Sequence, residues 1–580
     1  MSILGRIWSQ AKRSLAVASP PRPEGAGFAE LARAAEEGAD AEAAAALFAR
    51  LSAAGIADAE ACWRIGRTLG RVGRLDQARR ALEAACELDP SSADVHSDLG
   101  NVAALSGRLE EAERHYRAAL ARAPVNPGIL ANLGHLLRAR REAVGAMVAF
   151  AEALEHDPGC EAALKGYASL ATTTEGLERL ARILEQVPDC AAAHAAHAAV
   201  LLRVTQNAPR ALEQFDLARG LGLDDADLHG GRGLALNALG RTEEALHEFD
   251  AALARDPDSG PWRWHRALAL LALGRYAEGW VDYEIRLRSE DRPQRDFALR
   301  RWEGGDLTAK TILVHAEQGL GDEIMFASCL PEVIARAGGC IIDCHPKLAG
   351  LYRRSFPSAR VHAGTQFDDG AWLAALGTAD CQIPVGSLPL YLRPSREAFP
   401  VRERYLVADP ARVQRWRARL AELGARSVIG LSWQGGTRDT GRERRSVSLE
   451  QLRPLLGRPD TAWVSLQYDA RAEDVEDFAR ASGLPLVHWP EAVSDYEETA
   501  AVLCALELTI SVCTALVHLA GALGRPAWVL APLAPEWRYG VRGERMPWYG
   551  SVRLFRQRPG ESWQPVIARV EEALDARPAG

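Results

Sequence analysis

Between Ala59 and Ser259 the apolar residues fall at three- and four-residue intervals, the spacing that lines one face of a helix. Small residues and prolines punctuate this texture at a fixed period. Pro90, Pro124 and Pro158 are each 34 residues apart, and the segments between them read as pairs of antiparallel helices. After about residue 306 the rhythm changes to short β-type runs separated by helical stretches. The candidate strands are Thr311–His315, Cys340–Cys344, Val428–Trp433, Trp463–Gln467, Leu508–Val512 and Ala527–Leu530. Strands spaced by helices predict parallel βαβ units. An interruption near Pro394–Ser427, carrying an arginine-rich helix at Asp409–Leu420, divides them into two α/β lobes with a cleft between.

The repeat can be followed residue by residue. One unit carries Gly100, Gly107, Ala112, Ala119 and Pro124; the next keeps Gly134, Ala146, Ala153 and Pro158 with the aromatic Phe150, and a later one has Gly233, Gly240, Ala245, Phe249, Ala252 and Pro257. Small residues let the two helices of a unit approach, an aromatic fills the space between units, and the proline ends the second helix. This pattern resembles the tetratricopeptide repeat (TPR), which implies a solenoid whose groove holds a peptide or protein partner. Glu161–Asp225 keeps the helical texture but loses the spacing, as one or two degenerate units would. Gly260–Arg286 is an atypical last unit, and its Trp262, Trp264, Trp280 and Tyr283 are expected to cap the array by packing on the next domain. Two Asp-x-Asp strings, Asp225–Asp227 and Asp256–Asp258, lie in inter-repeat turns and suit turn and helix-start chemistry better than a metal-bound sugar nucleotide. The expected organisation is an N-terminal arm (1–27), an α-solenoid (28–288), a linker (289–306), a first lobe (307–405) and a second lobe (406–580).

Composition narrows the class without naming it. A chain of 580 residues with 48% apolar and 25% charged residues is ordinary globular protein of several domains. A net charge of −8 argues against nucleic acid or an anionic membrane as partner. Ten cysteines have no framework spacing and no CxxC zinc pattern, so reduced cytoplasmic thiols with no cysteine-bound metal are expected. No apolar run approaches the roughly 18 residues of a membrane span, so no stable membrane insertion is expected. The arm MSILGRIWSQAKRSLAVASPPRP is basic and weakly amphipathic but lacks a continuous signal-peptide core.

The chemistry concentrates in Thr311–Phe326, TILVHAEQGLGDEIMF. An apolar strand runs into Gly319 and Gly321, and Asp322 opens a helical pattern predicted over Glu323–Ala337. Strand ends of this kind place ligands in open α/β sheets. Gly319–Pro331 resembles the N-terminal signature of heptosyltransferase-type, glycosyltransferase family 9 proteins, and Ser511–Pro526 (SVCTALVHLAGALGRP) resembles their C-terminal signature. The order of repeat array, YEIR, HAEQGLGD, SWQGG, RRSVSLEQL and HLAGALGRP is similar to bacterial fusions of TPR arrays with glycosyltransferases, some of which modify flagellin. The likeness spans about Ala59–Phe555.

That resemblance implies a GT-B fold of two Rossmann-like lobes, with acceptor on the first and nucleotide sugar on the second. It implies no cofactor beyond the nucleotide-sugar donor, which is substrate. Asp322 matches the proposed base, and an N-cap role for the same residue is equally open. Arg445 matches a basic position that meets phosphate, against the alternative of a solvated charge. Gln434, Ser511 and Thr514 fall in the matching strand-end segments, with Thr514 able to hold a diphosphate at a helix start. His518 reads as a ligand contact or a core histidine. Cys513 stands where the family usually has an acidic residue, which a thiol cannot replace as a hydrogen-bond acceptor for sugar hydroxyls. The expected function is transfer of a sugar to Ser or Thr of a protein recruited by the array, with flagellin as the acceptor the resemblance suggests. The alternatives are a scaffold with a degenerate transferase half, or a transferase acting on lipopolysaccharide or another glycan.

Overall fold

The computed structural model describes residues 28–288, 295, 297–364, 368, 371–436 and 441–577. The arm 1–27 and most of 289–296 therefore lie outside the described residues. The chain divides into two compact units, Met1–Asp224 and Asp225–Gly580.

Among the described residues the first unit holds twelve helices, from Phe28–Glu37 to Ala208–Gly220. Their starts follow the repeat: Asp58, Ser92 and Asn126, 34 residues apart, each accept a hydrogen bond from the backbone N–H three residues on. The small residues are used as the pattern predicts. A Cβ on Gly100 would stand 2.7 Å from the Tyr116 ring, and one on Gly134 2.6 Å from Phe150, so each unit's aromatic lies directly on its partner helix. Phe150 also presses on Gly166 of the following helix and so seals the joint between units. Gly73 and Gly107 turn between helices at positive φ, and the third unit places Arg141 in that position at φ 65°. The degenerate stretch resolves into two helix pairs, Glu161–Leu170 with Thr174–Gln186 and Ala191–Thr205 with Ala208–Gly220.

The second unit begins with four more repeat helices, Ala226–Ala238, Thr242–Arg255, Gly260–Ala272 and Tyr276–Tyr283. Asp225 caps the first of these through Leu228 N–H, the helix-start role expected of that Asp-x-Asp string. The aromatic residues of the last pair separate in role. Trp262 fills the space above Gly230 inside the array, whereas Trp280, 1% exposed, sits among Tyr283, Phe326, Trp537 and Trp548. Its indole N–H donates to the Arg393 carbonyl at 2.8 Å. The period of the sequence placed the solenoid's end at residue 288, but compactness counts its last two helix pairs with the α/β part. Trp280 and Tyr283 bind the last pair to that part through shared aromatic burial, and Thr242–Arg255 of the preceding pair packs on Gly260–Ala272.

The α/β part holds two sheets. In the first, β1 (Thr311–His315), β2 (Gly339–Cys344), β3 (Arg360–Ala363) and β4 (Cys381–Pro384) are all parallel in the order β3-β2-β1-β4. The second contains β5 (Ser427–Ser432), β6 (Thr461–Ser465), β7 (Leu486–His488), β8 (Leu508–Val512), β9 (Ala527–Ala531), β10 (Arg545–Met546) and β11 (Tyr549–Arg556). Its order is β10-β11-β9-β8-β5-β6-β7, parallel except for the β10–β11 ribbon. In each sheet the chain winds outward from one strand and returns to its other side, between β1 and β4 and between β5 and β8. Those switch points are where open α/β sheets leave a crevice at the strand C-terminal ends.

The helix expected over Glu323–Ala337 is instead Leu320–Phe326, a 3-10 turn Ala327–Cys329, and Leu330–Arg336. Pro331 accounts for the break, since its ring and missing N–H cannot continue the first helix. Among the described residues no helix is long and apolar enough to cross a membrane, and none of the ten cysteines is in a disulfide.

Candidate functional site

Three strand-end loops of the second unit carry the singled-out residues: Ala316–Gly319 after β1, Trp433–Arg445 after β5, and Cys513–Thr514 after β8. The loop after β1 is held from outside by the YEIR segment. Tyr283 donates its hydroxyl proton to Gln318 Oε1 at 2.9 Å, and Arg286 grips the Glu317 carboxylate and Ser387 Oγ, each at 2.7 Å. Arg286 is buried, so these charge-assisted bonds are also what keeps its guanidinium satisfied.

Asp322 is not the helix cap. Gly319 holds that position in extended geometry, and Asp322 lies in the first turn with its carboxylate in an ion pair with Arg538. Gly321 faces neighbouring protein: a Cβ there would be 3.3 Å from Ala515 Cα and 3.4 Å from His518 Cδ2. The two signature segments thus pack helix against helix, which places Asp322 beside the residues after β8.

Around the β5–β8 switch point the backbone is folded tightly. Gln467, fully buried, collects the Ser432 hydroxyl and the Trp433 and Gln434 N–H groups on one side-chain oxygen, at 2.9 to 3.0 Å. Its amide returns a bond to the Gln434 carbonyl at 2.9 Å, while the Gln434 side chain accepts from Arg442 at 2.9 Å. A Cβ on Gly435 would be 2.5 Å from the Thr514 methyl, and one on Gly436, at φ +80°, would be 1.8 Å from the Arg445 guanidinium. Only glycines let the loop lie under both groups. Arg445 donates its Nε–H to the Gly435 carbonyl at 3.1 Å and pairs with Glu536. Burial pulls its pKa below the usual arginine value.

The residues after β8 take different roles. Thr514 occupies the N-cap position of Ala515–Ala522, and its hydroxyl lies 3.2 Å from that of Ser511 rather than capping the helix. Cys513 is buried, and burial pushes its thiol up to about 12 against the opposing pull of Arg445 and Arg556. It is a neutral thiol inside the fold, unsuited to attack as a nucleophile. His518 is also buried, with Nδ1 3.1 Å from the Tyr549 hydroxyl. Burial, reinforced by the charge of Arg538, holds its pKa well below the usual value, so the ring is neutral.

Two groups went unnoticed in the sequence. Glu536 and Arg538 lie in the loop that follows β9, the strand beside β8, so the rule that pointed to the other loops applies to this one. The charges alternate along Asp322, Arg538, Glu536 and Arg445. Arg538 Nη1 stands 3.9 Å from the Glu536 carboxylate, and Arg538 Nε is buried with no hydrogen-bond partner among the described residues. Burial lowers the Arg538 pKa, but Asp322 leads the charges that outweigh it, and the net shift is upward. The loop itself is fastened by Arg556, whose guanidinium donates to the carbonyls of Tyr539, Gly540 and Gly543. Among the described residues no group of three or more His, Cys, Asp or Glu is gathered as metal ligands would be.

Within the first unit the surface of interest is apolar. Val144 and Val148 are exposed beside a groove of about 310 Å³ whose walls include Leu120, Leu130, Leu133 and Leu137.

The protein is therefore a helical repeat scaffold of the protein-interacting kind joined to two parallel α/β lobes. Residues 64–127, 98–160, 198–259 and 231–284 match the tetratricopeptide repeat family. The chain is similar to Protein FlbA of Caulobacter vibrioides, with 34% identity over 312 residues, 51% of this chain and 52% of that protein. It thus spans about half the length of this curated relative. Among solved structures it is similar to a tetratricopeptide repeat protein from Parabacteroides merdae, at 17% identity and TM-score 0.36, covering 42% of this chain and 97% of that one. Yeast Tom70 is similar at 17% identity and TM-score 0.36, covering 49% and 68% of the respective chains.

Proposed function

We propose that this protein is a glycosyltransferase of GT-B type that moves a sugar from a nucleotide-sugar donor to a Ser or Thr hydroxyl of a protein bound by its repeat array. The observation that carries the reading is the run of ion pairs Asp322–Arg538 and Glu536–Arg445, on segments that follow β1, β5 and β9. A transfer to a hydroxyl needs a base for the acceptor proton and cations for the departing phosphate, and both kinds of group stand there. Asp322 would take the proton as the hydroxyl oxygen attacks the anomeric carbon. Arg445 and Arg538 would stabilise the charge that gathers on the leaving diphosphate, with the Ser511 and Thr514 hydroxyls beside them. His518, neutral and buried, would support the packing of the two signature helices rather than touch the donor. Flagellin is the acceptor that the family likeness suggests. The test is intact-mass measurement of proteins from cells with and without this gene product. A mass difference equal to a sugar residue on one protein supports the reading, and unchanged masses throughout remove the protein-acceptor part of it.

One observation favours a scaffold without transferase activity: both arginines are already neutralised, by Asp322 and Glu536, in addition to the loss of an acidic residue at Cys513. Calorimetry with a panel of nucleotides separates the two, since a scaffold has no need to bind any.

A further inference from the structure

The pairing of Glu536 with Arg445 is an unusual use of two charges at a strand-end crevice. Arg445 is fixed from behind by its bond to the Gly435 carbonyl and by the absence of a side chain at Gly436, and its Nη1 pairs with Glu536. Arg538, the other cation, has one carboxylate oxygen of Glu536 at 3.9 Å and a buried Nε–H that no described residue accepts. Of the four charged side chains, Glu536 is the most exposed, at 30% against 10% for Arg445, 15% for Arg538 and 21% for Asp322. It is the member that can leave for water at least cost. A carboxylate between two guanidinium groups has the charge and the planar acceptor pair that a phosphate would present, with less charge and fewer oxygens than a diphosphate.

We infer that Glu536 is an internal occupant of the diphosphate position, holding Arg445 and facing Arg538 until the diphosphate of a nucleotide donor displaces it into solvent. This rests on the donor reading given above. The exchange breaks one carboxylate–guanidinium pair and forms at least two phosphate–guanidinium contacts, one of them available to the idle Nε–H of Arg538. An occupied site lowers apparent affinity by the fraction of time it stands open. Removing the charge of Glu536 therefore tightens binding, the opposite of what loss of an ordinary ligand contact does.

The experiment is calorimetry at fixed ionic strength with inorganic pyrophosphate and, separately, UDP, GDP, CDP and ADP, on the full chain. Glu536→Gln is expected to bind pyrophosphate and the preferred nucleotide about 10-fold more tightly than wild type. Glu536→Asp, which keeps the charge but shortens its reach, is expected to give a smaller gain. Adding Arg445→Gln to Glu536→Gln should abolish the gain. Binding by Glu536→Gln equal to or weaker than that of a wild-type protein that does bind would overturn the inference and leave the donor reading standing. If Glu536→Gln fails to fold, Glu536→Asp carries the test on the same criterion. Absence of binding of every probe to wild type and variants alike would remove the donor reading and this inference with it.

Discussion

Replacing Trp280 with alanine tests whether the last repeat shares a core with the α/β part. The indole is 1% exposed, meets five aromatic rings within 6.4 Å and donates to the Arg393 carbonyl. Truncating a buried Trp costs about 3–5 kcal/mol through lost transfer and the cavity left behind. The stranded Arg393 carbonyl adds about 1 kcal/mol more. A loss of about 4–6 kcal/mol compares with a whole-domain stability of about 5–15 kcal/mol, so the variant should be marginal. Chemical denaturation followed by near-ultraviolet circular dichroism measures it, comparing wild type, Trp280→Ala and two fragments. The fragment 225–580 should unfold cooperatively, and 289–580, which lacks Tyr276, Trp280 and Tyr283, should not. Each of those rings buries roughly 150–250 Å², about 4–6 kcal/mol apiece at 25 cal/mol/Å². A fragment 289–580 that unfolds cooperatively at undiminished stability, or a cost below about 1 kcal/mol for Trp280→Ala, would refute the shared core.

Other expectations follow from the same geometry. Asp322→Asn should lower turnover by about 10²–10⁴ if Asp322 is the base, and it should also destabilise by about 2 kcal/mol because Arg538 keeps only the more distant Glu536 carboxylate, at 3.9 Å. Adding Arg538→Gln should restore part of that stability and none of the turnover, as read by urea unfolding and acceptor mass. Cys513 keeps its proton until the pH nears 12, so iodoacetamide at pH 8 should leave it unmodified by peptide mass mapping. Its contribution to stability is full below pH 9, where an exposed thiol is still protonated, and is lost as pH rises from 9 towards 12; Cys513→Ala should flatten that part of the profile. Gly107→Ala, at φ +76° with open space around it, should cost about 1 kcal/mol from backbone strain alone. Gly100→Ala should cost more, since its methyl meets the Tyr116 ring.

Much of the fold was legible because it is periodic or continuous. β1 and β8 have the predicted limits, and β2, β5, β6 and β9 differ by one or two residues. Five strands were missed and have weaker signals: β3, RVHA, is half polar, β4 is four residues ending in proline, β7 is three residues long, and β10 is a two-residue ribbon strand that pairs with β11. Asp322 was noticed for the loop that precedes it, but its partner Arg538 is 216 residues away and no local pattern links the two. Gln467 was taken as the end of a strand, since nothing in the string SLQYD says that its amide will gather the donors of another loop. The N-cap reading of Asp322 failed by three residues because a glycine in extended geometry started the helix first.

The clamp that Arg556 places on the carbonyls of Tyr539, Gly540 and Gly543 bears on timing. A loop tied at three backbone points does not swing as a lid. Whatever Glu536 and Arg538 do on meeting an anion, they do by turning about side-chain bonds, a matter of picoseconds to nanoseconds rather than the microseconds to milliseconds of loop closure. On the proposed donor reading, capture at this crevice would be paced by diffusion, and the slow step of a turnover would belong to the acceptor or to the chemistry.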